Sequence, residues 1–319
     1  MENFNTIQND YKLSFHGKGS ELFGIIIVNW LLTIVTLGIY YPWAKAKQLK
    51  FFYGATALKD DFFTFHGTGF EMFKGFIKAI LILGVLIGIF LVFTFFEYPY
   101  LGIILLYLGI FAIVPVAVHG SYRYRMSRTS WRGIRFGYRG NKYELLKKYF
   151  IWVIFTILSL GIYGSWMVVN LRNYVFNNIK FGDISFKSDA DGGDYLLLNI
   201  KGYVLTIITL GIYSFWWQKD LFNFYVEHIS LHKEDKKIYL NSTATGGGFF
   251  KLMIVNFFIV VFTLGFGYAW AATRTMKYVT SSIQLEGDID FDTIVQSEEN
   301  FNDATGDEIS DFLDIDFIV

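Results

Sequence analysis

Apolar residues run almost unbroken through long stretches of this chain, and several stretches end in the same few letters. Six runs stand out, at roughly 22–41, 75–96, 99–118, 149–169, 196–217 and 249–271. Each is long enough and poor enough in charge to predict a membrane-spanning helix. Four close on one phrase: TLGIYYPW (36–43), SLGIYGSW (159–166), TLGIYSFW (209–216) and TLGFGYAW (263–270). Glycine takes the left-handed position after a helix at low steric cost, so Gly38, Gly161, Gly211 and Gly265 are expected to end helices. Pro42 suits the first turn of a following helix. Trp43, with its counterparts Trp166, Trp216 and Trp270, marks the end of the phrase. At Trp43 the apolar run gives way to lysines, which suits an interfacial aromatic belt. The next stretch, AKAKQLKFFYG, reads as an amphipathic helix lying in the interface. The phrase is thus expected to turn the chain at the membrane surface. Its rival reading is a set of broken helices lining a cavity, as in transporters built from repeats.

Between the runs the period changes. Residues 55–67, 130–140, 179–188 and 284–293 alternate over short stretches around Gly or Asp, which predicts β-hairpins. Residues 219–247 carry the same pattern more weakly. FHGKGSELF (15–23) and FHGTGFEMF (65–73) match at an offset of 50, and FGYRGNKYELL (136–146) continues the series. The chain therefore reads as about five units, near 13–62, 63–133, 134–183, 184–237 and 238–294. Each holds a strand, a glycine turn, an apolar helix, the phrase, a short amphipathic helix and another strand. The second unit carries two full apolar segments and is 23 residues longer. The predicted fold is an α-helical integral membrane protein with about six transmembrane segments, spanning 12–294. Residues 1–11 read as a polar tail and 295–319 as an acidic, disordered one.

Composition supports the membrane. The chain is 53% hydrophobic and 18% charged, against about 25% charged in ordinary soluble domains. The complete lack of cysteine excludes disulfides, thiolate catalysis and thiolate metal sites. The first apolar run has no small-residue cleavage site, so no cleavable signal peptide is expected. With six crossings, 18 Lys and Arg fall on the side of 42–74, 119–148 and 218–248, against 7 on the other. The positive-inside rule then makes the first side cytoplasmic and leaves both termini outside. Re-entrant segments are the alternative, putting every hairpin on the cytoplasmic face and joining the strands in one sheet. The lysine count favours six crossings.

Candidate chemistry is sparse. Glu21, Glu71, Glu144 and Asp194 share one repeat position at the start of an apolar helix, where a carboxylate complements the helix dipole. A ring of such carboxylates attracting a cation is the sharper reading. Asn29 and Asn256 lie nine residues before their unit's glycine, as interhelical hydrogen-bonding groups or substrate contacts. Lys78 and Lys201 sit near helix starts and are expected to snorkel. His16 and His66 occupy equivalent strand ends. His228 and His232 have helical spacing, but no HExxH accompanies them. YRYRMSRTSWRGIRFGYRG (122–140) interleaves arginines with aromatics, which beside a span predicts attraction of 122–148 to anionic lipids rather than nucleic acid. From Glu286 onward the chain holds twelve acidic and no basic residues, as in a solvated interaction tail. No nucleophile–base pair, metal set or cofactor fingerprint is present, so neither enzyme activity nor a cofactor is expected.

The run FHGKGSELFGIIIVNWLLTIVTLGIYYPWAKAKQLKFFYG, followed by FTFHGTG, resembles the bacterial YjgN-like family of inner-membrane proteins. The resemblance covers roughly residues 12–290. Phe266-Gly267 departs from the Ile-Tyr of the other phrases. The resemblance implies a multi-pass protein of the bacterial inner membrane, and supplies no activity or ligand. Two roles follow as expectations. One is a membrane scaffold with an unidentified protein partner, its hairpins forming the docking surface. The other is a small-solute transporter or channel lined by helices broken at the glycines. Scarce intramembrane charge and an odd number of units favour the scaffold.

Overall fold

The computed structural model describes residues 9–296. Within them the order strand, helix, helix, strand occurs five times. The first set is β1 (Asn9–Phe15), α1 (Gly19–Val35), α2 (Tyr41–Gly54) and β2 (Thr56–Leu58). The second is β3 (Asp61–Phe65), α3 (Gly69–Phe95), α4 (Pro99–Ser127) and β4 (Thr129–Trp131). The third is β5 (Ile134–Tyr138), α5 (Lys142–Leu158), α6 (Gly164–Phe176) and β6 (Ile179–Phe181). The fourth is β7 (Ile184–Ser188), α7 (Gly192–Ile208), α8 (Ser214–Glu227) and β8 (Ile229–Lys233). The fifth is β9 (Lys236–Ser242), α9 (Gly246–Phe262), α10 (Tyr268–Ser281) and β10 (Ile283–Gly287).

The ten strands form one closed barrel, each antiparallel to its neighbours, with β1 paired to both β2 and β10. Short strands alternate inward apolar and outward polar positions, as a half-buried sheet requires. In β10, Ile283 and Leu285 join the interior cluster while Gln284 and Glu286 alternate with them. Tyr11, Leu58, Trp131, Phe181, Ile184, Leu231, Ile238 and Leu285 fill the interior. Antiparallel pairing fixes where the connections lie. Every tight turn, such as Lys59-Asp60 and Arg132-Gly133 with φ positive at both residues, lies at one rim. Every helical hairpin therefore rises from the other rim. Each helix packs against the next, and α10 packs against α1, so the ten helices close into a ring.

This architecture corrects the fold predicted from sequence. A bundle of about six spanning helices is not present. Among the described residues two helices are long and apolar enough to cross a membrane, α3 and α4. The physical reason lies in the phrase itself. The apolar run 22–41 continues through a turn at 36–40 into α2, so α1 has only 17 residues, about 25 Å of helix. The same break shortens α5, α7 and α9 to 17 residues each. Strand pairs do occupy 55–67, 130–140 and 179–188, but as walls of the barrel rather than separate hairpins. Residues 284–293 are no hairpin. The weakly patterned 219–247 contains the β8–β9 pair.

Candidate functional site

The helix tips come first, because they explain the phrase. In α1 the chain stops at Leu37, φ +51°, and Gly38, φ +91°. Gly38 N–H donates to Thr33 O at 2.7 Å, closing the left-handed cap. The Thr36 hydroxyl then accepts from Tyr40 N–H at 3.0 Å, capping the start of α2. Ser159, Thr209 and Thr263 accept in the same way from Tyr163, Tyr213 and Gly267. The hydroxyl residue was the unread letter of the phrase. Leu37, Leu160, Leu210 and Leu264 project from the four tips with 93%, 94%, 93% and 89% of their surface exposed. Each tip thus presents apolar side chains over a backbone whose turn is hydrogen-bonded internally, the form a chain needs inside lipid.

The tryptophans do something the sequence did not reveal. Gly69 opens α3 directly beneath Trp43, where a Cβ would come within 2.8 Å of the Trp43 Cα. Gly192 lies in the same way beneath Trp166, Gly246 beneath Trp216, and Gly19 beneath Trp270. Each tryptophan therefore wedges into the first helix of the following set, and Trp270 returns to the first. At the remaining seam the corresponding positions hold Val116 and Lys142.

The carboxylates stay apart. Glu21, Glu71, Glu144 and Asp194 each stand in the first turn of α1, α3, α5 and α7. Glu71 forms a capping box with Thr68, accepts from Tyr124 Oη at 3.1 Å and pairs with Arg128 at 2.9 Å. Glu144 pairs with Lys148 at 2.7 Å, which lowers its pKa. No group of His, Asp and Glu suited to a metal ion occurs among the described residues. Asn29 Nδ2 donates to Ala44 O at 3.3 Å, bridging α1 and α2. Asn256 bridges α9 and α10 more fully, donating to Ala271 O and Thr275 Oγ1 and accepting from Arg274 Nε. His16, His66 and His232 each bond a serine hydroxyl, while His228 bonds Phe224 O. The basic stretch 122–148 does not form one patch. It runs down α4 to the turn at Arg132 and back up to α5, so Arg132 lies at the rim opposite the helices.

Both ends of the barrel carry features that sequence reasoning missed. Residues 288–296 cross the turn rim and seat Ile289, Phe291 and Ile294 in the interior cluster. Arg132 and Lys59 both pair with Asp292, Lys233 Nζ donates to Thr293 O at 2.6 Å, and Gln296 Oε1 accepts from Arg135 N–H. Tyr11 Oη donates to Ile289 O at 3.4 Å. The start of the supposed solvated tail is thus a plug, and the rest, 297–319, lies outside the described residues. The signal was three large apolar residues, Ile289, Phe291 and Ile294, within an acidic background. At the helix rim, Leu13, Phe52, Tyr53, Thr56, Phe63, Met126, Thr129, Phe136 and Met276 line an open apolar cavity of about 340 Å³. Opposite it, Arg172 of α6 is buried over the rings of Phe176 and Tyr225, at 4.6 and 4.2 Å.

A closed, plugged barrel under a ring of hairpins with exposed apolar tips suits a protein that meets a membrane. The chain belongs to the DUF898 family, described as bacterial protein of unknown function, whose model matches residues 10–202 and 216–312. The inner membrane protein YjgN of Salmonella typhimurium is 24% identical over 362 residues, covering 88% of this chain and 90% of that one. The protein of the same name from Escherichia coli K12 is 31% identical over 158 residues, 47% of this chain and 35% of that one. The protein of that name from E. coli O157:H7 is 24% identical, covering 56% and 52%. No solved structure matches. The family has no assigned activity, and the relatives' shared description as inner membrane proteins supports an inner-membrane location for this chain.

Proposed function

We propose that this protein is a membrane-anchored scaffold without catalytic activity. One hairpin crosses the bilayer, four dip into a single leaflet, and the barrel is displayed in the cytoplasm. The distribution of charge carries this reading. From 79 to 122 the only charged residue is Glu97, and all 28 Lys and Arg lie outside that stretch. Lys78 and Glu97 are 19 residues apart, and the helical part from Lys78 to Phe95 rises about 26 Å, close to the ~30 Å hydrocarbon thickness. Phe95, Phe96, Tyr98 and Tyr100 are exposed around Glu97, as an interfacial belt would be. Helix α3 is ten residues longer than α1, so its tip reaches about 15 Å beyond the other tips. The positive-inside rule then assigns the barrel to the cytoplasm. Lysines and arginines low on the hairpins would meet anionic headgroups there.

The packed interior and the plug support a platform rather than a conduit along the barrel axis. Solute flux in proteoliposomes tests the role. A scaffold gives the efflux of empty vesicles for small cations, anions and neutral solutes alike. Protein-dependent flux would overturn it in favour of a transporter.

A further inference from the structure

We propose that the cavity at the helix rim is a binding site for one lipid acyl chain, drawn in from the leaflet that holds the hairpin tips. The site rests on the tip insertion proposed above, but makes a separate claim. Its floor is the apolar barrel core, against which Leu13, Phe63 and Phe136 pack. Its walls come from the ends of α2, α4 and α10, through Phe52, Met126 and Met276. The helices around it each pack on the next in a closed ring, and residues 288–296 occupy the far end of the barrel. An acyl chain would enter from the side of the helix tips, where Leu37, Leu160, Leu210 and Leu264 stand exposed.

The lining selects the chemistry of the occupant. Thr56 and Thr129 bring hydroxyls, but each donates to a carbonyl of its own helix end, Phe52 O and Arg125 O, at 2.8 Å. A polar ligand would lose its water there and gain little in return. An apolar chain loses nothing, and 340 Å³ falls at the lower end of ligand-pocket sizes. Two flexible thioethers, Met126 and Met276, suit a chain of variable length and unsaturation. The same reasoning disfavours a folded protein partner, which the ring would keep from the rim.

Photo-crosslinking tests this. The full chain would be reconstituted in nanodiscs containing a phospholipid with a diazirine near the tail end, irradiated, and the labelled peptides mapped. Label is expected on segments around Phe52, Met126 and Met276, in addition to the tips. Met126→Trp and, independently, Met276→Trp narrow the cavity, and each should lower cavity labelling several-fold with tip labelling unchanged. Two substitutions guard against one that merely misfolds. Label confined to the tips and outer helix faces, or unchanged by both substitutions, overturns the site while leaving the insertion standing. Label on neither tips nor cavity overturns both.

Discussion

The indole of Trp270 lies across Gly19 so closely that a Cβ at residue 19 would come within 2.5 Å of Trp270 Cδ1. This contact joins the last helix to the first and closes the ring. Residues 251 positions apart in sequence thereby form the seam that their neighbours Trp43–Gly69, Trp166–Gly192 and Trp216–Gly246 form locally.

Adding a single methyl at such a seam should be felt. Gly69→Ala and Gly192→Ala meet backbone Cα atoms at 2.8 and 2.7 Å and are expected to cost about 1–3 kcal/mol each. Gly19→Ala meets the Trp270 ring instead, so its cost should largely disappear in the Trp270→Ala background. Unfolding of wild type, Gly19→Ala, Trp270→Ala and the double variant in one detergent measures the coupling. Additive costs would show that the indole and the glycine do not meet.

The two asparagines should respond in opposite ways. Asn29 is 1% exposed and its Oδ1 has no hydrogen-bond partner, so Asn29→Leu exchanges a desolvated acceptor and one long bond for apolar contact. The change should be near neutral or stabilising. Asn256 has three partners, and Asn256→Leu should cost about 1–3 kcal/mol. Thermal unfolding of the pair decides.

Acid should weaken the plug without releasing it. Hydrogen bonds from Arg132 and then Lys59 hold the Asp292 carboxyl below its ordinary value of 3.8. A depressed native pKa stabilises above the unfolded value, and that contribution is lost as pH falls through the native one. Residues 288–296 should therefore keep their protection from hydrogen exchange from neutrality to about pH 4 and lose a modest part of it below, the buried apolar anchors remaining. Asp292→Asn should loosen them already at pH 7. Phe291 is 3% exposed, and Phe291→Ala should lower global stability by about 3–5 kcal/mol.

Local structure was legible in the sequence and closure was not. The glycine of each phrase does take a positive φ, and Gly38 does end a helix before Pro42 starts the next. Those features depend on a few adjacent residues. Counting apolar residues straight through Thr36–Tyr40 turned a 17-residue helix into a span, because hydropathy does not register a change of chain direction. The barrel depends on β1 meeting β10, a pairing that no local pattern encodes. An indole suits an interface, which the residues next to Trp43 suggest, but its packing on Gly69, 26 residues on, lies beyond any local pattern. The glycine that makes room was visible, but its partner was not.

Sidedness is the central claim, and the cysteine-free chain makes it directly measurable. Glu97, Asp60 and Asp235 are exposed at the tip of the long hairpin and at two turns of the opposite rim. Each would be replaced singly by cysteine and probed in intact cells with a membrane-impermeant thiol reagent. The expected result is labelling at position 97 alone, with positions 60 and 235 reacting only after the inner membrane is permeabilised. Labelling at 60 or 235 in intact cells, or protection at 97, would contradict a single crossing hairpin above a cytoplasmic barrel.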